Sequence, residues 1–225
     1  MSPLLVQGLF HLYWDVLFFL IGWKLWTSYK IHQNPLAKYI ALSVIFAGIE
    51  YLFFVVSIFV FPDNLYLVKV ANNISWVFVY LAIGCAWVAF KYIYPKFPLK
   101  LFLMVLGSIG AVMLYLNSVP FTPAFINSGG FIDWGDVDLV MMVGSILLMG
   151  TFVPMGLSFI YRTLKKRFVV KGLVFGLGFV VTIVFMPATY SVESLSTYIF
   201  LAMLAALGMT LVTVGVFLSV PEEQT

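Results

Sequence analysis

The chain has 225 residues, 63% of them hydrophobic and only 9% charged, with a mean hydropathy of +1.09. A soluble domain carries roughly 25% charged residues, so this composition excludes a water-soluble fold and points to a helical membrane protein. The formal charge of +3 comes from short loops between apolar stretches, so it reflects topology and gives no reason to expect nucleic acid as a partner.

A bilayer-spanning helix needs about 20 apolar residues. Seven such stretches follow one another, at roughly 4–26, 39–61, 72–94, 100–118, 137–161, 169–188 and 196–219. They leave no room for a soluble domain. The expected fold is an all-α seven-transmembrane-helix bundle forming a single polytopic membrane domain over residues 1–225. Eleven of the twelve Lys and Arg residues fall in three gaps, Lys24 to Lys38, Lys91 to Lys100 and Arg162 to Lys171. The alternate gaps carry Asp63, Asp133, Asp136, Asp138 and Glu193, with Lys69 as their one cation. Short loops rich in Lys and Arg stay in the cytoplasm. The pattern therefore places the N-terminus outside and Glu222–Glu223 inside.

The first span starts directly after Met1, without a charged n-region or a small-residue cleavage site before Lys24, so it reads as a helix rather than a signal peptide. It holds Asp15 at its centre, and the second span holds Glu50 at its centre. Consecutive spans run antiparallel, so the two acids are expected at nearly one depth. An ionised carboxylate at the bilayer centre costs at least about 2.5–3.5 kcal/mol. A bound proton avoids that cost, and two acids in contact share one proton and titrate together. Gly8, His11, Asp15 and Gly22 fall on one stripe of the first span. Ser43, Ala47, Glu50, Phe54 and Ser57 do the same on the second. Such mixed small and polar faces point into a bundle. His11 is one turn outward of Asp15, so a His–Asp–Glu chain from the outer face to mid-membrane is one reading. The alternative is that each acid is hydrogen-bonded separately and only locks helices together.

The second outer segment, Pro62 to Ala71, contains Leu65-Tyr66-Leu67-Val68 and Lys69. It is expected either to lie along the membrane interface or to start the third span early. That span carries Asn73, Trp76, Tyr80, Gly84 and Trp87 on one stripe, which together with Tyr198 reads as an aromatic pocket wall or as plain packing. Its only cysteine, Cys85, excludes an intrachain disulfide. Asn117 and Thr151 are weaker polar candidates. The fourth gap, about 119–136, combines Pro120, Pro123, Gly129 and Gly130 with Phe121, Phe125, Phe131 and Trp134. The prolines and glycines exclude a regular helix. The loop is expected either as a lid over the outer face or as an interfacial loop. Pro154 and Pro187 are kink sites. Gly172, Gly176 and Gly178, with Ala202 and Ala206, point to close packing of spans six and seven.

The two histidines, His11 and His32, fall on opposite sides of the membrane and cannot share a metal or haem. The chain has no HExxH, GxSxG or phosphate-loop motif, and no lysine in span seven for a retinal Schiff base. No enzyme activity, metal or cofactor is expected.

Glu50 in span two, the segment ending in Lys69, Trp76, Tyr80, Trp87, Lys91-Tyr92 and the basic turn Arg162-Thr163-Leu164-Lys165-Lys166-Arg167 together resemble the N-terminal seven-helix sensor region of bacterial and archaeal histidine kinases. The likeness covers residues 40–95 and 155–190, and no dimerisation helix or kinase domain follows to Thr225. The resemblance implies a binding or sensor module in a prokaryotic plasma membrane, signalling through a partner protein at the cytoplasmic loop Arg162–Lys171. On the stripes of spans one to three, the candidate ligand- or proton-binding residues are Asp15, Glu50, His11, Ser57, Asn73, Trp76 and Tyr80. The competing readings are a proton- or cation-coupled transporter or channel built on Asp15 and Glu50, and a non-catalytic subunit of a membrane complex.

Overall fold

The computed structural model describes residues 2–165 and 170–218. Its elements are α1 (Pro3–His32), α2 (Pro35–Val60), α3 (Leu65–Ile93), α4 (Leu99–Ser118), β1 (Phe125–Ile126), β2 (Ile132–Asp133), α5 (Asp138–Lys165), α6 (Val170–Phe185), a 3-10 turn (Pro187–Ser191) and α7 (Leu195–Phe217). Among the described residues, seven helical segments are long and apolar enough to cross a membrane. The chain is thus a multi-pass helical membrane protein. The C-terminal tail bearing Glu222–Glu223, and the middle of the basic loop at 166–169, lie outside the described residues.

Capping chemistry sets the helix starts. The Ser2 hydroxyl accepts from Leu5 N at 3.3 Å, and Pro3 occupies the first turn, where its missing N–H costs nothing. Asn34 caps α2 through Leu36 N, followed by Pro35. Asn64 caps α3 through Leu67 N at 3.1 Å, so the third span does start early, at Leu65. Lys69 is therefore a helix residue. α1 closes on Gln33, which takes the left-handed conformation with φ 51° and turns the chain directly into α2.

Glycines bring α1 and α2 together. A side chain at Gly8 would strike Ile58 and Phe59, one at Gly48 would strike Phe18 and Phe19, and one at Gly22 would strike Ile45. This antiparallel register puts Asp15 level with Tyr51 and Leu52, next to the level of Glu50. The Gly172/Gly176 pair packs against α5, through Thr163, Gly156 and Ile160. This corrects the expectation that the pair faces span seven. Only Gly178 faces α7, against Gly208 and Val212.

Six helices form a ring, and α4 stands outside it. Its buried residues Leu106, Gly110, Met113 and Asn117 form a single stripe. Gly110 accepts the flat ring of Tyr80. The rest of α4, including Leu101, Met104, Val112 and Tyr115, is exposed and apolar, as a lipid-facing surface is.

The segment 119–137 folds over one end of the ring as a short hairpin. Phe125 pairs with Asp133 and Ile126 with Ile132. The Asn127 side chain accepts from Gly129 N and Phe131 N, and Gly130 supplies φ +80° for the turn. The hairpin is anchored, not loose. The Gln7 amide exchanges two hydrogen bonds with the backbone of Ile132, Phe131 stacks on Tyr198 at 4.7 Å, and Ser128 donates to Glu193 at 3.0 Å.

Candidate functional site: a chamber under the hairpin

Beneath the hairpin the ring encloses a cavity of about 90 Å³. At roughly 15 Å³ per water, it has room for several waters or the body of a small ligand. α1, α2, α3, α5, α6 and α7 all contribute to its wall, and none of the lining residues belongs to α4. Trp134 of the hairpin forms part of the roof, packed on Phe54 with ring centres 4.5 Å apart.

The chamber opens toward a polar vestibule of about 440 Å³ lined by Asp133, Asp136 and Asp138. Trp134, Asp136, Met141, Ser145, Pro187 and Tyr190 line both spaces, so the vestibule is the mouth of the chamber. Pro187 gives this wall its shape. α6 stops at Phe185, and the following 3-10 turn brings Tyr190 to the opening.

Most polar groups in the wall are already committed to the fold. Ser43 donates to Ala82 O, Ser75 to Asn72 O and Thr182 to Gly178 O. The Tyr51 and Tyr190 hydroxyls bond each other at 3.1 Å. Glu50 lies near this tyrosine pair, is half-buried, and lines the chamber. No described residue makes a hydrogen bond or an ion pair with its carboxylate. The indole N–H of Trp134 is also buried without a partner in the protein.

Asp136 is the opposite case. Its Oδ1 accepts from Lys69 Nζ at 2.9 Å, Asn72 Nδ2 at 2.6 Å and Asn117 Nδ2 at 2.6 Å. Its Oδ2 accepts from Trp76 Nε1 at 3.2 Å. Lys69 is fully buried and spends its remaining donors on Asn117 Oδ1 and Gly135 O. A buried ion pair survives only when its remaining donors and acceptors are satisfied, and here they are. The knot ties α3, α4 and the hairpin's exit into one rim beside the mouth.

The residues singled out from the sequence separate into groups. Glu50 and Trp76 line the chamber, together with Ser43, Ala47 and Phe54 from the Glu50 stripe. Asp15 is buried, with one carboxylate oxygen lacking a partner, yet it is not among the lining residues. His11 sits in an aromatic cage of Trp14, Tyr51, Phe54 and Trp134, with Nδ1 unpartnered. No hydrogen bond joins His11, Asp15 and Glu50 among the described residues, so the three form no bonded chain. Ser57 bonds back to Phe53 O at 2.7 Å. Asn73 accepts from Asn117 at 3.0 Å, as part of the rim. Tyr80 and Gly84 face α4, and Trp87 donates to Thr151 at 2.8 Å.

The rim is what the sequence reading missed as an assembly: Asn117 stood as a weaker polar candidate, but Lys69, Asn72 and Asp136 did not stand as site residues. Its signal was present in the spacing: Lys69, Asn72, Trp76 and Val79 continue one helical stripe of α3. That stripe, rather than the one through Tyr80 and Trp87, faces inward.

No family model matches the chain, and no curated protein or solved structure matches it either.

Proposed function

We propose that this protein is a membrane-embedded binding module of the sensor type, taking a small ligand into the chamber from the hairpin side and passing the occupancy to a partner protein. The single observation that carries this reading is the walled chamber with an acidic mouth at one end and an unpaired acid inside it. A well-formed apolar pocket with a few convergent polar groups is a natural binding-site candidate. The Lys and Arg distribution supports placing the hairpin outside and the C-terminus in the cytoplasm.

The opposite half of the ring favours a receptor over an open channel. Ile40, Ala41, Ala86, Ala89 and Val216 are buried there, and Gly156 meets the backbone of Gly176. α5 and α6 line the chamber and also flank the basic loop, of which Arg162 to Lys165 are described. A shift of these two helices is thus the simplest route from ligand to partner, in keeping with the resemblance to histidine-kinase sensor regions. A coupled carrier using Asp15 and Glu50 is the competing reading.

The test joins in-cell cross-linking to reconstitution of the full chain in liposomes loaded with a pH-sensitive dye. The expected result is a partner recovered in fixed ratio, cross-linked at Arg162 to Lys165, with no voltage-driven proton flux. Proton flux that disappears in Asp15→Asn or Glu50→Gln would establish the carrier instead. A chain with neither a partner nor flux overturns the signalling half of the proposal.

A further inference from the structure

The chemistry of the chamber restricts what it can hold. An anion would meet Glu50 inside and Asp133 and Asp138 at the mouth, with no cation in either lining. Lys69, the nearest buried cation, is held by Asp136. A sugar-like ligand needs many polar partners, but the hydroxyls of Ser43, Ser75, Thr182, Tyr51 and Tyr190 are engaged within the protein. What is left is one carboxylate, the indole N–H of Trp134, the Ser145 hydroxyl, the Asn72 amide oxygen, one hydroxyl proton of the Tyr51–Tyr190 pair and a set of aromatic rings. Phe18, Tyr51, Phe54, Trp76, Trp134 and Tyr190 supply those rings from five elements: α1, α2, α3, the hairpin and the 3-10 turn.

A carboxylate in an apolar chamber must be neutralised, because an unpaired buried charge is costly. Aromatic rings attract a cation to their faces, and this attraction grows when the site is desolvated. A vestibule of one charge sign raises the local concentration of the opposite ion and speeds its entry. The three features agree on one ligand class.

We propose that the chamber binds a small organic cation, an amine or quaternary ammonium with an apolar body, with Glu50 as its counter-charge and Trp76, Tyr51, Phe54 and Trp134 as its walls. This deepens the reading of the chamber as a ligand site and rests on it. The charged head sits between Glu50 and the Tyr51–Tyr190 pair. The apolar body occupies the uncharged part of the wall, to which Phe18 and Phe179 contribute. Asp133 and Asp138 act on entry, and Glu50 acts on retention.

The experiment uses three probes of matched shape: phenethylammonium, 2-phenylethanol and phenylacetate. Each is titrated into the full chain in zwitterionic nanodiscs, read by calorimetry and by tryptophan fluorescence. The ammonium is expected to bind at least about tenfold more tightly than the alcohol, and phenylacetate not at all. Glu50→Gln should erase the ammonium's advantage while leaving the alcohol's affinity unchanged. Asp133→Asn with Asp138→Asn should slow ammonium association and reduce its salt dependence. Ala47→Leu, which fills the chamber beside Glu50, should abolish saturable binding of the ammonium and the alcohol. An alcohol that binds as tightly as the ammonium would reject the cation class and leave the chamber a ligand site. Probes that bind equally in wild type and Ala47→Leu, or do not bind wild type at all, would reject the chamber itself. Thermal melting of each variant separates lost binding from lost fold.

Discussion

Toward the hairpin, the helices of this bundle stand apart around a chamber and are tied together by polar groups: the Lys69–Asp136 knot, the Gln7–Ile132 amide pair and the Tyr51–Tyr190 contact. Toward the basic loops, they close on one another through glycines. Gly22 meets Ile45, Gly176 meets Gly156, and Gly215 meets the backbone of Phe175. Both solutions answer the same difficulty. Lipid tails are as apolar as leucine, so helices gain little by burying apolar surface against each other. Close van der Waals contact is one remaining source of cohesion, and hydrogen bonding away from water is the other. The bundle leans on the first toward the basic loops and on the second around the chamber, while Gly8 still packs closely on Ile58 and Phe59 near the hairpin and Trp87 still bonds Thr151 toward the basic loops.

The largest effect should come from breaking the polar knot. Lys69→Ala leaves Asp136 buried without its counter-ion, and removing one partner of a buried pair costs about 3–5 kcal/mol. Denaturant unfolding in detergent measures this. Replacing both members together, as Lys69→Met with Asp136→Leu, should recover part of the loss. A single Lys69→Ala variant as stable as wild type would show that the rim is not held by charge.

Closing the glycine seam wrongly should cost less. A methyl at Gly178 would lie 2.6 Å from the backbone oxygen of Gly208 and 2.9 Å from Leu211 Cβ, so α6 and α7 must separate. Overpacking of this kind costs about 1–3 kcal/mol, and Gly178→Ala should lower the melting temperature accordingly. An unchanged melt would mean that the seam has slack.

Trp87→Phe removes the indole donor to Thr151, a buried bond between α3 and α5 at 2.8 Å. The expected loss is about 1 kcal/mol, smaller than either of the above, and Thr151→Val in the same background should add little more. At the bottom of the scale, Gly107→Ala on α4 meets nothing within 4 Å. It should change stability by no more than about 0.5 kcal/mol. A larger loss at Gly107 would reveal a neighbour packed on α4 in the membrane.

Much of the fold was readable along the chain because its signals are local. Each span is an apolar run, although the caps at Asn34 and Asn64 start α2 and α3 several residues before the apolar stretches expected at 39 and 72. Even the Glu50 stripe was legible, since Ser43, Ala47, Glu50 and Phe54 share one helical face and all reach the chamber. Other faces were harder to assign. The α3 stripe through Tyr80 and Gly84 read as a pocket wall or as plain packing, because aromatic and small residues build a helix seam as readily as a cavity. Here they receive α4. Likewise, glycine spacing announces a close approach without naming the partner, and Gly172 and Gly176 took α5 rather than α7.

By itself, then, the sequence determined seven apolar helices, because these follow from hydrophobicity within one stretch of chain, while their ends were set by caps and packing, α2 and α3 starting at Pro35 and Leu65 rather than at 39 and 72. The tertiary structure alone decided that Glu50 faces a chamber and Asp15 does not, that Lys69 pairs with Asp136 across 67 positions, and that a hairpin closes one end. Those outcomes depend on how helices rotate and pack against distant neighbours. A helix's period says which residues travel together, but only its contacts say what they meet.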